Sequence, residues 1–223
     1  MAKKKAQETN QISTAEDLIL KQAVVEDLFK KNLPLIGTIA TIIVLIAAAY
    51  FGYDSYKISQ NGEAFASLAK GQTAYQQGNY TEAIPLLEET AQNYSGMNAG
   101  GYAVFYLANS LYYQEKFDEA KVRFEEYISS YDDNLLIPSS YAGVADCYAA
   151  LENHSEAASQ YEKAFNLSNY PSEKANYIFK AGLAYEKAGN SEKAKESYQK
   201  VKDDFDDSEE AKNIDAYLAR LNK

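Results

Sequence analysis

Residues 182–201 have the sequence GLAYEKAGNSEKAKESYQKV, and this stretch decides the fold because its pattern recurs every 37 residues. Four columns of similar residues show the recurrence. The columns are Ala83, Ala120, Ala157 and Ala194; Leu87, Phe124, Tyr161 and Tyr198, four residues later; Gly71, Ala108, Ala145 and Gly182, twelve residues before each alanine; and Gly78, Glu115, Glu152 and Gly189, five residues before it. Agreement of several columns on one interval indicates an internal structural repeat.

The pattern within one repeat predicts a helical hairpin. Two antiparallel helices approach closely only where a side chain at their crossing is small, which suits the glycine and alanine columns, and the column of larger side chains fills the space beside them. The fourth column suits the turn between the two helices. In the second repeat we expect helices at residues 101–114 and 118–131. Because one hairpin cannot bury its apolar face alone, the four repeats are expected to stack into an all-α solenoid.

A final amphipathic helix is expected behind the fourth repeat, over residues 207–223. Asp207 or Ser208 can cap its start. Four apolar residues then follow at the spacing i, i+3, i+4, i+7, which places them on one face of a helix. They are Ile214, Tyr217, Leu218 and Leu221. This helix is expected to close the open end of the stack against solvent.

The repeats resemble the tetratricopeptide repeat (TPR) family. Its units carry a small residue, a tyrosine three residues later, and then an alanine and an aromatic residue four apart. The fourth repeat matches best, and the third follows closely with Ala145 and Tyr148, whereas Ala74 and Leu111 replace the tyrosine in the first two. The usual period of the family is 34 residues, so the joints are expected to absorb three more. The resemblance covers residues 65–201 and implies a helical protein-binding scaffold without enzymatic activity.

An apolar segment at residues 33–53, LPLIGTIATIIVLIAAAYFGY, predicts one transmembrane helix. Its 21 residues contain no charged side chain, and as a helix they extend about 31 Å, close to the hydrocarbon thickness of a bilayer. One alternative is a cleaved signal peptide, because residues 47–49 are small, but the region before the segment and the apolar run are both longer than such peptides have. A second alternative is a buried core helix, for which the rest of the chain offers little apolar cover.

The distribution of charge predicts the orientation of this segment. Six lysines and five acidic residues precede it, whereas 16 basic and 27 acidic residues follow it. Lys30 and Lys31 lie directly before it, so the positive-inside rule keeps the amino terminus in the cytoplasm and places the repeats in the periplasm, on the outer side of a bacterial inner membrane. The predicted division is a cytoplasmic tail with an amphipathic juxtamembrane helix at 1–32, the single-pass transmembrane helix at 33–53, a linker or helix extension at 54–64, four TPR-like repeats at 65–206 and the capping helix at 207–223.

Several classes of function are disfavoured by composition. A formal net charge of -10 repels nucleic acid. The single cysteine, Cys147, rules out an intrachain disulfide, and with the single histidine, His154, it cannot supply an ordinary zinc site. No phosphate-binding loop, nucleophile elbow or metal-ligand motif occurs in the sequence. We therefore expect no catalytic residue, no cofactor, no metal and no small-molecule substrate.

Side chains on the first helix of each hairpin are expected to line the concave face of the solenoid. Tyrosine and phenylalanine on this face offer rigid apolar area, which suits extended polypeptide segments. The predicted protein-binding groove consists of Phe65, Tyr75, Tyr102, Phe105, Asn109, Tyr112, Tyr113, Asp146 and Phe179. The alternative is that some of these rings belong to the hairpin cores. The expected partners are exported or unfolded polypeptide segments and subunits of a translocon or an envelope complex.

The layout of one amino-terminal anchor and an exported repeat domain resembles the ancillary bacterial Sec translocon subunits of the YfgM type. This resemblance implies a chaperone-like, non-enzymatic role at the outer face of the inner membrane, where emerging polypeptides or periplasmic chaperones dock. The alternative is a structural scaffold in a cell-wall or outer-membrane assembly complex.

Overall fold

The computed structural model describes residues 2–131 and 135–221, and no strand occurs in these ranges. The helices are α1 Ala2–Gln76, α2 Tyr80–Asn93, α3 Asn98–Tyr113, α4 Phe117–Ser130, α5 Leu136–Ala150, α6 His154–Leu167, α7 Pro171–Lys187, α8 Ser191–Asp204 and α9 Ile214–Leu221, with a short 3-10 helix at Glu210–Asn213. The all-α prediction is therefore confirmed. The chain divides into two compact units, Met1–Ser59 and Gln60–Lys223.

The first unit consists of the amino-terminal part of α1. Its stretch Phe29–Gly52 is long and apolar enough to cross a membrane by length and composition. The described large apolar side chains of this stretch are exposed rather than packed in a protein core. Pro34 lies inside α1, where it removes one helical hydrogen bond. The amphipathic face predicted within residues 1–32 falls largely on side chains outside the described ones.

The second unit stacks four helical hairpins. The carboxyl-terminal part of α1 and α2 form the first, and α3–α4, α5–α6 and α7–α8 form the others, each helix packing on the next. One core cluster contains residues of the first two hairpins and of α5. The other contains residues of α5 to α9. Since α5 belongs to both clusters, the apolar core runs through the whole stack.

The small-residue columns lie where the helices of each hairpin cross. All four alanines of the first column are fully buried. A Cβ atom on Gly71 would lie 2.7 Å from Cγ of Leu87, and one on Gly182 would lie 2.6 Å from Cε1 of Tyr198. In the first and fourth repeats the larger side chain thus occupies the space left by the small one, as the sequence predicted.

The turns within the hairpins share one left-handed residue. The φ angles are 73° at Gly78, 59° at Glu115, 62° at Glu152 and 78° at Gly189. In each turn the next residue donates its N–H to the carbonyl oxygen five residues earlier, as from Asn153 to Tyr148 at 2.8 Å, which is the helix-ending hydrogen bond that a left-handed residue permits. That next residue then precedes the second helix as its N-cap. The two glutamates therefore occupy positions that favour glycine.

The first turn of α3, directly after the joint between the first and second hairpins, also requires glycine. A Cβ atom on Gly100 would lie 2.1 Å from the backbone oxygen of Tyr94, and one on Gly101 would lie 2.9 Å from Cδ1 of Tyr131. The first contact is with backbone, so no side-chain rotation can relieve it. The sequence analysis predicted a joint between the repeats but not this requirement for glycine.

Helix α9 covers the end of the stack. Its Ile214 and Leu218 are buried, and Tyr217 and Leu221 pack against the same core cluster. The 3-10 helix precedes α9, and Ser208 Oγ accepts a hydrogen bond of 3.2 Å from the N–H of Ala211. The regular helix consequently begins at Ile214, later than the predicted caps at Asp207 and Ser208.

We expect opposite effects from two substitutions at equivalent turn positions. Glu152→Gly should stabilise the chain by about 0.5–1 kcal/mol, because a left-handed residue with a Cβ atom is strained and the relief exceeds the added freedom of the unfolded chain. Gly189→Ala should destabilise it by about 1 kcal/mol for the same reason. Thermal unfolding followed by circular dichroism should show Tm shifts of about 2–4 °C per kcal/mol. Equal signs for the two shifts would contradict this account of the turns.

Candidate functional site

The predicted groove residues all lie on the first helices of the hairpins. Phe65 and Tyr75 are on α1, five of the residues are on α3, Asp146 is on α5 and Phe179 is on α7. Phe65 is 46% exposed and Tyr113 is 54% exposed, and the other seven are half-buried. Each of the nine residues therefore reaches the surface at least in part.

A cluster of four tyrosines lies on the first two hairpins, and it consists of Tyr75, Tyr80, Tyr106 and Tyr113. The rings of Tyr80 and Tyr113 stack with centroids 4.8 Å apart, and the ring of Tyr75 lies 5.2 Å from that of Tyr106 and 6.2 Å from that of Tyr113. Burial raises the pKa of Tyr75 to about 12, with a further contribution from the Tyr113 and Tyr80 phenols. The Tyr75 hydroxyl therefore stays protonated at neutral pH.

Further aromatic rings extend this cluster in both directions along the first helices. Phe65 and Tyr102 have ring centroids 6.5 Å apart, and Tyr112 lies 5.8 Å from Tyr113. Gln72 Nε2 donates to the Tyr106 hydroxyl at 3.0 Å, which links the first hairpin to the second. We use the term aromatic surface for the resulting set, which is Phe65, Tyr75, Tyr80, Tyr102, Tyr106, Tyr112 and Tyr113.

Phe105 and Phe179 make contacts of a different kind. The Phe105 ring lies 5.9 Å from Phe124 and 6.0 Å from Tyr127, both on the second helix of its own hairpin. The Phe179 ring lies 5.1 Å from Tyr217 on α9. Both rings thus take part in packing, as the alternative prediction for the groove rings describes.

Asn109 and Asp146 also use their polar atoms within the protein. Asn109 Nδ2 donates to the backbone oxygen of Phe105 at 2.8 Å. Asp146 accepts a hydrogen bond from the Tyr161 hydroxyl and forms an ion pair with Lys180 at 3.0 Å. Burial raises the pKa of Tyr161, and the negative charge of Asp146 adds to this shift. The hydroxyl of Tyr161 therefore remains a donor to the carboxylate.

A second carboxylate near the end of the stack is likewise paired. Glu186 accepts from Arg220 on α9 at 2.6 Å and from the Tyr198 hydroxyl at 2.9 Å. Partial burial acts to raise the pKa of Glu186, but the hydrogen bonds from Arg220 and Tyr198 outweigh it and lower the pKa below its usual value. The carboxylates of Asp146 and Glu186 are thus both paired with side chains on neighbouring helices.

Cys147 and His154 do not form a reactive centre in this structure. Cys147 is buried, and burial raises the pKa of its thiol to about 12, so the sulfur is not a thiolate at neutral pH. His154 is the first residue of α6 and only half-buried, and its Nδ1 atom is buried without a hydrogen-bond partner in the described part of the chain. Among the residues that the structure describes, no group of three potential ligands is placed to hold a metal ion.

Four residues of the site were missed by the sequence analysis, namely Tyr80, Tyr106, Lys180 and Arg220. Tyr106 and Lys180 occupy the same column, 74 residues apart, and each directly follows a predicted groove phenylalanine. Following this column along the repeats would have revealed both. Tyr80 and Arg220 belong to helices outside the predicted groove face, so only the packing of one helix on another brings them to the site.

Comparison with known proteins gives a consistent result for the fold. The family described as tetratricopeptide repeat-like domain matches residues 27–223. No curated protein matches the chain significantly. Solved structures that resemble it include the nearly identical TPR-like repeats of a Podosopora anserina protein (18% identity, 71% of this chain and 84% of that chain, TM-score 0.57) and a tetratricopeptide repeat protein from Parabacteroides merdae (17%, 71% and 60%, TM-score 0.60). A further one is a MamA RS-1 double mutant (16%, 71% and 94%, TM-score 0.55).

The paired carboxylate at the end of the stack predicts a pH dependence of stability. A folded-state pKa below the unfolded value means that Glu186 contributes stability above its unfolded pKa of about 4.3, and that this contribution is lost as pH falls through the folded value. Glu186→Gln should therefore lower Tm at pH 7, and the difference from the parent should shrink on acidification to about pH 3.

The matched control is Glu63→Gln, since Glu63 is exposed in the interior of α1, away from either helix end, and makes no ion pair with any residue in the described ranges. Its Tm difference from the parent should stay near zero at both pH values. A Glu186→Gln difference that is independent of pH would show that its ion pair does not cause the effect.

Proposed function

This chain belongs to the tetratricopeptide repeat-like domain family, and from that premise we propose that it is a membrane-anchored, non-enzymatic module that captures exported polypeptide segments on its aromatic surface. TPR-like repeats suggest a protein–protein interaction module in general. The more specific proposal concerns the client, the binding face and the place of action. The observation that carries it is the aromatic surface on the front two hairpins, of which Phe65 and Tyr113 are exposed and the other rings are half-buried.

The aromatic surface suits incompletely folded polypeptide for two reasons. Phe65 and Tyr113 expose about half of their area to solvent, and burying such rings against an apolar segment is favourable. The tyrosines also carry hydroxyl groups that can bond to the backbone of an extended chain. Because residues after the apolar segment carry a net charge of -11, basic or neutral clients should be preferred over acidic ones.

An anchor would raise the concentration of this surface near emerging chains. We propose that the apolar segment at residues 33–53 spans a bacterial inner membrane once, with the amino terminus in the cytoplasm and the repeats in the periplasm. Support comes from the exposed apolar side chains of this stretch and from the lysines at its start. Tethering in this way converts a modest affinity into efficient local capture.

The proposed place of action is the outer side of the Sec translocon, where the module would assist exported proteins or recruit periplasmic chaperones, as in subunits of the YfgM type. This part of the proposal rests on the layout of anchor and repeats. The alternative is a scaffold subunit of an envelope assembly complex. It is favoured by a second group of exposed apolar side chains, Leu135, Leu167 and Tyr170, which lie in or beside the joints and outside the aromatic surface.

Capture on the aromatic surface can be tested with two matched double variants. Phe65→Ser with Tyr113→Ser should weaken binding of a permanently unfolded, basic reporter polypeptide at least about tenfold, because exposed aromatic anchors dominate such interfaces. Leu167→Ser with Tyr170→Ser removes side chains of similar exposure, 47% and 51%, and should leave this affinity unchanged. Titration calorimetry on the detergent-solubilised chain measures the affinity of each variant for the reporter polypeptide. Loss of binding only in the second variant would contradict capture on the aromatic surface.

The orientation can be tested independently of the client. Protease added to intact spheroplasts should digest the region after Asp54, whereas the tail before residue 29 should be cleaved only after lysis. Immunoblotting with antibodies to each end distinguishes the fragments. A repeat domain that resists protease until the cells are lysed would place it in the cytoplasm and would overturn the proposed topology.

A further inference from the structure

Two rings of the four-tyrosine cluster lie closer together and more nearly parallel than the others. The rings of Tyr80 and Tyr113 have centroids 4.8 Å apart, and their planes differ by 15°. The contacts of Tyr75 with the other three rings have centroid distances of 5.2–6.2 Å and planes tilted by 46–59°. Tyr80 and Tyr113 are therefore the pair in this cluster whose ring carbons can meet with the least movement of the side chains.

The fold holds this pair together from both sides. Tyr80 is the first residue of α2, and Tyr113 is the last residue of α3. Their sequence neighbours are hydrogen-bonded to each other, since Gln114 Nε2 donates to Thr81 Oγ1 at 2.9 Å. This bond and the packing of α2 on α3 keep the two backbones side by side. The rings consequently stay in contact while the small rotations that surface side chains make bring different ring carbons together.

The pair is also accessible to one-electron chemistry. Tyr113 is 54% exposed and Tyr80 is half-buried. A phenol that loses an electron in water also loses its hydroxyl proton, and the radical that remains carries unpaired spin on the two ring carbons ortho to the oxygen. The hydroxyls of Tyr75 and Tyr113 are hydrogen-bonded to each other, so a radical on Tyr75 can take a hydrogen atom from Tyr113. The cluster therefore directs oxidation towards the stacked pair.

We propose that Tyr80 and Tyr113 are an oxidative modification site, at which hydrogen peroxide activated by a haem peroxidase joins the two rings as dityrosine. Each phenol gives up one electron and its hydroxyl proton, and a carbon–carbon bond forms between one ortho carbon of each ring. The hydrogen on each joined carbon then leaves as a proton while the oxygen takes one up, which restores both phenols. The peroxide accepts the two electrons and two protons, its O–O bond breaks, and two water molecules form.

Such a cross-link would connect the first hairpin covalently to the second. It would close the chain between the start of α2 and the end of α3 into a loop, and it would fix the exposed ring of Tyr113 within the aromatic surface. The proposal depends on the spacing and exposure of the two phenols. It is therefore independent of whether the aromatic surface captures polypeptide segments.

A second stacked pair provides an internal comparison. The rings of Tyr127 and Tyr131 have centroids 5.1 Å apart and planes that differ by 23°. Tyr127, however, is only 1% exposed, so an oxidant in solution has little access to it. We expect this pair to remain unlinked under conditions that join Tyr80 to Tyr113.

The test treats the full chain in mild detergent with a haem peroxidase and hydrogen peroxide. Dityrosine fluorescence should appear on the monomer band of a denaturing gel. Cleavage after glutamate separates residues 64–82 from residues 90–115, so the cross-link should join these two peptides, with a mass two hydrogen atoms below the sum of their masses. Fragment spectra should assign the link to Tyr80 and Tyr113.

Three single variants show whether these two phenols are required. Tyr80→Phe and Tyr113→Phe should each lose the linked peptide, because phenylalanine forms no phenoxyl radical, and circular dichroism should show that both variants keep the parent's helix content. The matched control is Tyr170→Phe, which removes a tyrosine of similar exposure, 51%. It should leave the yield of the linked peptide unchanged.

Four results would overturn the proposal. They are no dityrosine in the parent under conditions that couple a tyrosine-containing control peptide, dityrosine confined to the dimer band, an undiminished yield of the linked peptide in Tyr80→Phe or Tyr113→Phe, and a link between Tyr127 and Tyr131 at equal or higher yield. The first and third would show that the stacked pair does not couple, the second that coupling occurs between chains, and the fourth that exposure does not select the site.

Discussion

Close approach of two antiparallel helices is the constraint on which every repeat of this chain depends. The approach requires a glycine or alanine at the crossing, and it leaves a space that a larger side chain must fill from the opposite helix. Gly182 and Tyr198 meet this requirement in the fourth repeat, and Gly71 with Leu87 meets it in the first. The pair is reciprocal, because a larger residue at the glycine would clash and a smaller one opposite would leave a void. This reciprocity fixes the register of each hairpin.

Once the hairpins are fixed, the stack determines which side chains remain free for binding. Both helices of each hairpin contribute residues to the core clusters, and α9 covers the last hairpin. In the rear repeats the carboxylates of Asp146 and Glu186 are satisfied by Lys180 and Arg220. The front hairpins instead expose Phe65 and Tyr113. In a stack where each repeat contacts only its neighbours, such a difference between front and rear can persist without cost to the fold.

The fold could be predicted from the sequence because it depends on short-range columns. The 37-residue interval located the crossings and the turns, and the spacing i, i+3, i+4, i+7 located the buried face of α9. The observed helices of the second repeat begin and end within about three residues of the predicted bounds. The site was less predictable. The Phe105 ring packs against Phe124 and Tyr127. Arg220 on α9 forms an ion pair with Glu186 on α7. These arrangements depend on rotamers and on how one hairpin rotates against the next, which a column of residue types does not encode.

Departures from the repeat pattern are informative because the other repeats supply internal controls. Glu115 and Glu152 stand where Gly78 and Gly189 show what the backbone favours, so they mark positions that tolerate strain. Leu111 stands where Tyr148 and Tyr185 place a ring in the third and fourth repeats, and a cavity of about 500 Å³ lies beside it. A turn glutamate affects only local backbone energy, whereas the smaller side chain changes the shape of the surface. Comparison between the repeats therefore distinguishes a substitution that costs stability from one that alters the surface.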